Sequence, residues 1–169
     1  MKKISLVEFK NNNFICFNSD SQRLFTKGFG TFLRDEILQL SWYEVLYLLD
    51  KKSIKVVKGK NQLEFEDLIK IKKFDSVKYL VYSDLKKQGF IVKEGLKFGA
   101  DFRVYVKNQE HAKWLVLVFK SSEKIKCNVL SAQSRVANST NKKLLFAIVD
   151  EELHISYLES SWTKNLKDF

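Results

Sequence analysis

Acid and base chemistry can be assigned to few side chains here, because the 169 residues include only two histidines. His111 lies in a polar loop, VKNQEHAK, immediately before an apolar run that predicts a buried strand. Tyr105 lies near the end of the strand predicted before that loop, so a phenol and an imidazole reach one strand end beside several cations. This combination indicates acid and base chemistry on an anionic substrate.

Each of these residues also has an ordinary structural explanation. A strand tyrosine such as Tyr105 usually packs, a loop histidine is more often non-catalytic, and Lys142 stands in the run NKK, where lysines are usually solvated. His154 lies in the strand-like run LHISYL, where alternation predicts a half-exposed structural position. The order of the elements favours a joint role, because Tyr105, His111 and Lys142 fall at strand or helix ends that one sheet edge can gather.

The charge balance predicts a polyanionic partner. The formal net charge is +10, and nucleic acid is the leading candidate for that partner. The alternative is a lysine-rich solvated surface, which AT-rich codon usage or a high growth temperature produces. Hydrophobic residues make up 45% of the chain, enough for a genuine core, and this composition argues against disorder.

The sequence predicts neither a metal site nor a membrane segment. Cys16 and Cys127 stand far apart without CxxC spacing, so we expect two reduced thiols and no zinc site. No tight acidic cluster requires magnesium, and no other cofactor is indicated. No apolar run approaches the roughly 20 residues that cross a bilayer, and the start, MKKISLVEFKNNN, loses its apolar character too early for a signal peptide. We therefore expect a soluble, cytoplasmic protein.

The first part of the chain predicts a small α+β domain over residues 1–74. Residues 1–40 alternate apolar runs with Asn and Ser clusters, which is typical of a small antiparallel sheet and its turns. Ser41 and Glu44 have the spacing of a capping box at the start of a helix. A short strand over Ile54–Val57 and a helix over Leu63–Lys73 complete the predicted domain, and a composition shift marks its end.

The second part, residues 75–169, predicts an α/β domain with a mixed central sheet. A helix begins near Asp75 or Ser76 and ends at Gly89, and a further helix is expected over Asn128–Asn141. The run WLVLVF is almost continuously apolar, so its strand should be central and covered on both faces. Predicted strands lie at Phe90–Lys93, Phe102–Val106, Lys113–Phe119, the run KKLLFAIVD, and His154–Leu158.

Several of these stretches resemble the archaeal tRNA-splicing endonuclease family. They are YLVYSDLKKQGFIVKEGLKFGADFRVY, EHAKWLVLVF, RVANSTNKKLLFAIVD and, in the first part, GFGTFLRDEILQLSWYEVLYLLDKKSIKVV. The resemblance covers nearly the whole chain. It implies an α/β architecture in which the N-terminal α+β domain precedes a restriction-endonuclease-like nuclease domain.

The resemblance also implies a catalytic triad of Tyr105, His111 and Lys142 and metal-independent cleavage of RNA. The ribose 2′-hydroxyl would attack the neighbouring phosphate, with Tyr105 as base, His111 as acid and Lys142 offsetting the charge that grows on the phosphorane. The products would carry a 2′,3′-cyclic phosphate and a 5′-hydroxyl. The roles of the phenol and the imidazole stay interchangeable, since a tyrosine base needs a pKa well below its ordinary value of about 10.

The same resemblance assigns substrate and partners. The substrate would be precursor tRNA cut at bulge-helix-bulge junctions, with Arg135 and Tyr157 as the RNA-binding residues that stack on extruded bases. The alternative interpretation of Tyr157 is a residue that packs within a strand. The turn Asp150, Glu151 and Glu152 would enter a basic pocket of an opposing subunit. The assembly would be a homotetramer, or a heterotetramer with a structural subunit; the alternative function is that of the structural, non-catalytic RNA-binding subunit itself.

Overall fold

The computed structural model describes residues 4–71 and 73–162. The chain forms two compact units by its internal contacts, the first ending at Asp75 and the second beginning at Ser76. Within the described residues there are five α-helices and two mixed sheets, which confirms the α/β class predicted from the sequence. None of the described helices is long and apolar enough to cross a bilayer.

The first unit is built on a six-stranded sheet. Its elements are β1 (Ser5–Lys10), β2 (Asn13–Phe17), α1 (Asn18–Thr26), β3 (Thr31–Arg34), β4 (Ile37–Leu40), α2 (Trp42–Asp50), β5 (Ile54–Lys58), β6 (Asn61–Leu63) and α3 (Phe65–Ile71). The strands lie in the order β3-β4-β2-β1-β5-β6. The four strands within residues 1–40 pair antiparallel, as expected, and the parallel pairing of β5 with β1 makes the whole sheet mixed.

Helix α1 corrects the expectation of a polar break after β2. Its sequence is polar, but Leu24 is 1% exposed and Ser21 is fully buried, with the hydroxyl donating to the Asn18 carbonyl at 2.6 Å. A helix with so narrow an apolar side depends on tertiary packing rather than on its own periodicity. Leu63, where the helix predicted over Leu63–Lys73 would begin, ends strand β6, and helix α3 begins at Phe65.

The predicted capping box at the start of α2 is confirmed. The Ser41 hydroxyl accepts from the Glu44 amide, and Glu44 Oε2 accepts from the Ser41 amide at 2.8 Å. The second carboxylate oxygen of Glu44 accepts from the Gly30 amide, also at 2.8 Å. Glu44 is only 1% exposed, so these bonds explain how the first unit buries a carboxylate.

The second unit is a five-stranded sheet with one helix on each face. Its elements are α4 (Ser76–Lys87), β7 (Ile91–Glu94), a short 3₁₀ helix (Leu96–Phe98), β8 (Phe102–Tyr105), β9 (Trp114–Lys120), α5 (Cys127–Ser139), β10 (Lys143–Val149) and β11 (Ile155–Ser160). The strands lie in the order β11-β10-β9-β8-β7, and β9 and β10 are parallel.

Strand β9 is central and buried on both faces, as the run WLVLVF predicts. Leu115 and Leu117 pack with Ala137 of α5 on one face. On the other face, Val116 pairs in register with Phe102, whose ring lies 5.8 Å from that of Tyr82 on α4. Leu115 and Leu117 thus lie on the α5 face of the sheet, and Val116 lies on its α4 face.

Candidate active site

The register of the second sheet brings three strand ends to one edge. Val104 of β8 is paired with Trp114 of β9, and Trp114 is paired with Lys143 of β10. Tyr105 follows this row on β8, His111 precedes it in the loop before β9, and Lys142 precedes it before β10. Because β8 runs antiparallel to the other two strands, its carboxyl end meets their amino ends. The three residues singled out in the sequence therefore lie at the same sheet edge.

Tyr105 lies at the end of β8 on the α5 face. Phe102 and Val104 are buried on the α4 face, so alternation along the strand directs Arg103 and Tyr105 to the other side. The Tyr105 ring is half-buried, and the Arg103 guanidinium carbon lies 6.0 Å from its centre. Arg103 is itself fixed, because its Nε donates to the Glu94 carbonyl at 3.0 Å.

His111 is exposed on a loop that is anchored at both ends. The Gln109 amide donates to the Val106 carbonyl at 3.1 Å, and the Lys113 amide donates to the Val104 carbonyl at 2.8 Å. Ala112, immediately after the histidine, is 4% exposed. The backbone is thus held on either side of His111 while the imidazole stays open to solvent.

Lys142 lies in a tight turn between α5 and β10. Helix α5 ends at Ser139, so the expected helix through Asn141 is wrong at its end, and Arg135 and Lys142 do not share one helical face. The Lys142 amide still donates to the Ala137 carbonyl at 2.8 Å. The Lys142 ammonium donates to the Thr140 carbonyl at 2.7 Å and lies 5.2 Å from the centre of the Phe98 ring.

The structure distinguishes Lys142 from the lysine that follows it. The Lys143 ammonium forms an ion pair with Glu159, whose other oxygen accepts from Trp114 Nε1 at 2.6 Å. The hydrogen bond from Lys143 and, to a smaller extent, that from Trp114 hold the pKa of Glu159 below its ordinary value. Within residues 4–71 and 73–162, Lys142 makes no ion pair with a carboxylate. Its charge is therefore available to a bound anion.

His111 and Lys142 line a common cleft of about 490 Å³. Tyr105 is not among the lining residues. The cleft also contains amide and indole side chains that sequence reasoning did not assign to a site, although Asn138 and Asn141 flank the turn that carries Lys142. The other lining residues are Gln109, Ala112, Lys113, Ser134, Ala137, Asn138, Asn141, Lys143, Ser160, Ser161 and Trp162.

The two residues expected to stack on RNA bases lie outside this cleft. Arg135 is exposed on α5. Tyr157 is half-buried on the α4 face, and its hydroxyl donates to Asp84 Oδ2 of α4 at 2.7 Å. Burial and the Asp84 carboxylate raise the pKa of Tyr157 above its ordinary value. This contact is the one expected of a packing residue.

The acidic turn lies at the opposite end of β10 from the cleft. Asp150 fixes its geometry, because Asp150 Oδ1 accepts from the His154 amide at 2.8 Å. Leu153 has the left-handed φ of 66° and is 63% exposed. His154 lies in this turn rather than in the strand, and its Nδ1 is 3.3 Å from Asp150 Oδ2. Glu151 and Glu152 are exposed at the tip.

The arrangement at the cleft edge suits an anionic reacting group. An exposed imidazole can give or take a proton, and an ammonium without an ion-pair partner can offset negative charge that develops in a transition state. Among the described residues, no group of three His, Cys, Asp or Glu side chains lies close enough together to hold a metal ion. Both cysteines are free thiols, Cys16 buried and Cys127 exposed.

Comparison with known proteins gives matches along both units. Residues 76–157 match the family described as tRNA intron endonuclease, catalytic C-terminal domain, and residues 6–69 match its N-terminal domain. The tRNA-splicing endonuclease of Pyrococcus furiosus is 44% identical over 143 residues, covering 82% of this chain and 83% of that protein. That of Methanococcus vannielii is 36% identical over 175 residues, covering 96% and 97%. That of Thermococcus kodakarensis is 40% identical over 133 residues, covering 75% and 79%.

Proposed function

The chain belongs to the tRNA intron endonuclease family, and from this premise we propose that it cuts precursor tRNA at bulge-helix-bulge junctions without a metal ion. As a member it is an endoribonuclease of tRNA splicing. The proposed products are a 2′,3′-cyclic phosphate on one fragment and a 5′-hydroxyl on the other.

The proposed reaction is a transfer within the RNA. The 2′-oxygen forms a bond to the adjacent phosphorus, its proton passes to a base, and the bond from phosphorus to the leaving 5′-oxygen breaks as an acid supplies a proton to that oxygen. We assign the base to Tyr105 and the acid to His111. Lys142 stabilises the additional negative charge on the non-bridging oxygens.

The observation that carries this proposal is the joint position of His111 and Lys142. Both line one cleft, Tyr105 lies at the same sheet edge, and all three fall within the residues that match the catalytic domain of the family. The ion pair between Lys143 and Glu159 adds support, since it leaves Lys142 as the lysine in this turn that can face a phosphate.

The acidic turn supports assembly with a further subunit. Strand β10 has seven residues and separates the turn from the cleft by about 20 Å at the usual strand rise. Glu151 and Glu152 therefore lie far from the cleft of their own chain. We propose that the turn docks on another subunit, in a homotetramer or in a heterotetramer with a structural subunit, and that Arg135 and Tyr157 contact the RNA in the assembly.

A cleavage assay tests the function directly. The full chain is incubated in EDTA with a bulge-helix-bulge RNA, and the fragment ends are identified by phosphatase and kinase treatment. We expect cyclic phosphate and 5′-hydroxyl ends. A matched RNA with a 2′-deoxy nucleotide before the scissile phosphate should resist cleavage, because it lacks the nucleophile.

Other outcomes of this assay separate the alternatives. A strict requirement for divalent metal, or cleavage of the 2′-deoxy RNA, would contradict the mechanism. Cleavage that appears only with a second, paralogous chain and is unaffected by changing Lys142 would identify this chain as the structural subunit. Size-exclusion chromatography of the active species determines the number of subunits.

A further inference from the structure

A row of ring and cation contacts joins two of the candidate catalytic residues. The Lys142 ammonium lies 5.2 Å from the centre of the Phe98 ring, and the Arg103 guanidinium carbon lies 5.7 Å from the same centre. Arg103 in turn lies 6.0 Å from the Tyr105 ring. Each separation is within the range at which a cation is attracted to an aromatic ring. The row therefore connects the end of β8 with the turn before β10.

Phe98 is held by a backbone that leaves it little freedom. It ends the short 3₁₀ helix, and its amide donates to the Gly95 carbonyl at 2.8 Å. A Cβ at position 95 would come within 2.6 Å of the Ala100 carbonyl oxygen, and Gly99 has a left-handed φ of 68°. Both glycines are thus required by this turn. The half-buried Phe98 ring packs against the core cluster under α5.

The row gives Lys142 a defined position. A free lysine side chain samples many rotamers, and a charge that samples many positions stabilises a transition state poorly. The Phe98 ring and the Thr140 carbonyl both attract the Lys142 ammonium. The ring lies within attraction distance of both the Lys142 ammonium and the Arg103 guanidinium, and this attraction opposes their mutual repulsion.

We propose that Phe98 and Arg103 are positioning residues of the endonuclease, which hold Lys142 and Tyr105 in a fixed mutual arrangement. This inference rests on the proposed function, because it concerns the same cleavage reaction. Neither residue needs to touch the reacting atoms. Their effect should therefore appear in the rate of the chemical step and leave the affinity for RNA unchanged.

A fluorinated phenylalanine series at position 98 tests the electrostatic part of this proposal. Mono-, di- and trifluorophenylalanine keep the shape of the ring and progressively weaken its attraction for cations. We expect the single-turnover cleavage rate to fall stepwise, by about 3- to 30-fold over the series, because each added fluorine weakens the attraction between the ring and the cations. The Kd for RNA should not change. A rate that is the same across the series would overturn the proposal.

Simple substitutions provide the structural control. F98Y keeps a ring and should retain the rate, whereas F98L should lose it. F119L makes the same change from Phe to Leu at a residue that packs against the same cluster, with the Phe146 ring 6.1 Å away as its aromatic neighbour. F119L should lower Tm yet cleave at the normal rate. Equal rates for F98L and F98Y, or equal losses for F98L and F119L, would contradict a positioning role.

A readout independent of cleavage comes from NMR of lysine-labelled protein. Proximity to the Phe98 ring should shift the Lys142 methylene resonances upfield, and the shift should disappear in F98L; K142R assigns the signals. If wild-type protein shows this shift but cuts no RNA, the proposed function fails and the positioning role fails with it. If wild-type protein cuts RNA but lacks the shift, only the positioning role is overturned.

Discussion

Lys143 and Glu159 form an ion pair between β10 and β11, and Glu159 also accepts a hydrogen bond from Trp114. The pair ties the start of β10 to the end of β11. The preceding residue, Lys142, has no such carboxylate partner among the described residues, so its ammonium is available to a bound anion.

K142A should therefore lower the cleavage rate far more than K143A. We expect K142A to lose about 10²- to 10³-fold in kcat, the usual cost of removing one group that stabilises transition-state charge. K143A is the matched control, since it removes the same charge one residue away. The measurement is single-turnover cleavage with the Kd for RNA determined separately. Equal losses in the two variants would contradict the assignment to Lys142.

The pH dependence of stability should include a contribution from Glu159. Its pKa is lowered in the folded state, so its stabilising effect is present above the pKa of the unfolded chain and is lost as pH falls through the folded pKa. Urea unfolding should thus show E159Q to be less stable than wild type at pH 7. The difference should shrink on acidification below about pH 4. A difference that is constant with pH would exclude this linkage.

Two substitutions test Tyr157 as a packing residue and as an RNA contact. Y157F removes the hydroxyl that donates to Asp84 and keeps the ring. We expect a loss of about 1 kcal/mol in the free energy of unfolding, as for a typical hydrogen bond. RNA affinity should be retained, because a stacking contact needs only the ring. Y157A should weaken RNA binding if the residue also stacks on a base.

L153G should stabilise the acidic turn. Leu153 has a φ of 66°, and a non-glycine residue in this region pays about 1 kcal/mol that glycine avoids. We expect Tm to rise. E151G is the matched control, since position 151 is in the same turn without a positive φ, and glycine there should lower the free energy of unfolding by about 0.5 to 1 kcal/mol. A fall in Tm for L153G would contradict this account.

The features predicted correctly from the sequence are those fixed by local chemistry or strong periodicity. The capping box of Ser41 and Glu44 depends on two residues three apart, and the central strand over WLVLVF is marked by its continuous apolar character. Helix α1 was missed because few of its residues are apolar, so tertiary burial of Leu24 decides its conformation. The parallel pairing of β1 with β5 depends on contacts distant in sequence and has no local signature.

At the candidate site, too, local sequence features could be used for prediction, whereas contacts between residues distant in sequence could not. Tyr105, His111 and Lys142 could be selected from residue type, element order and the family resemblance. The contact of Tyr157 with Asp84 joins residues 73 positions apart, and the pair of Lys143 with Glu159 joins residues 16 apart. Neither was accessible to reasoning from spacing along one element. The role proposed for Phe98 likewise depends on a turn that places its ring beside two cations.

The cleft and the acidic turn lie at opposite ends of β10, so a mutation can damage one of them without affecting the other. A chain with a damaged cleft still carries an intact turn, and a chain with a damaged turn still carries an intact cleft. Where activity requires one of each from different chains, two inactive proteins can restore it when they are mixed. If the acidic turn docks on another subunit, as proposed, the seven residues of β10 that separate it from the cleft would allow such complementation between subunits.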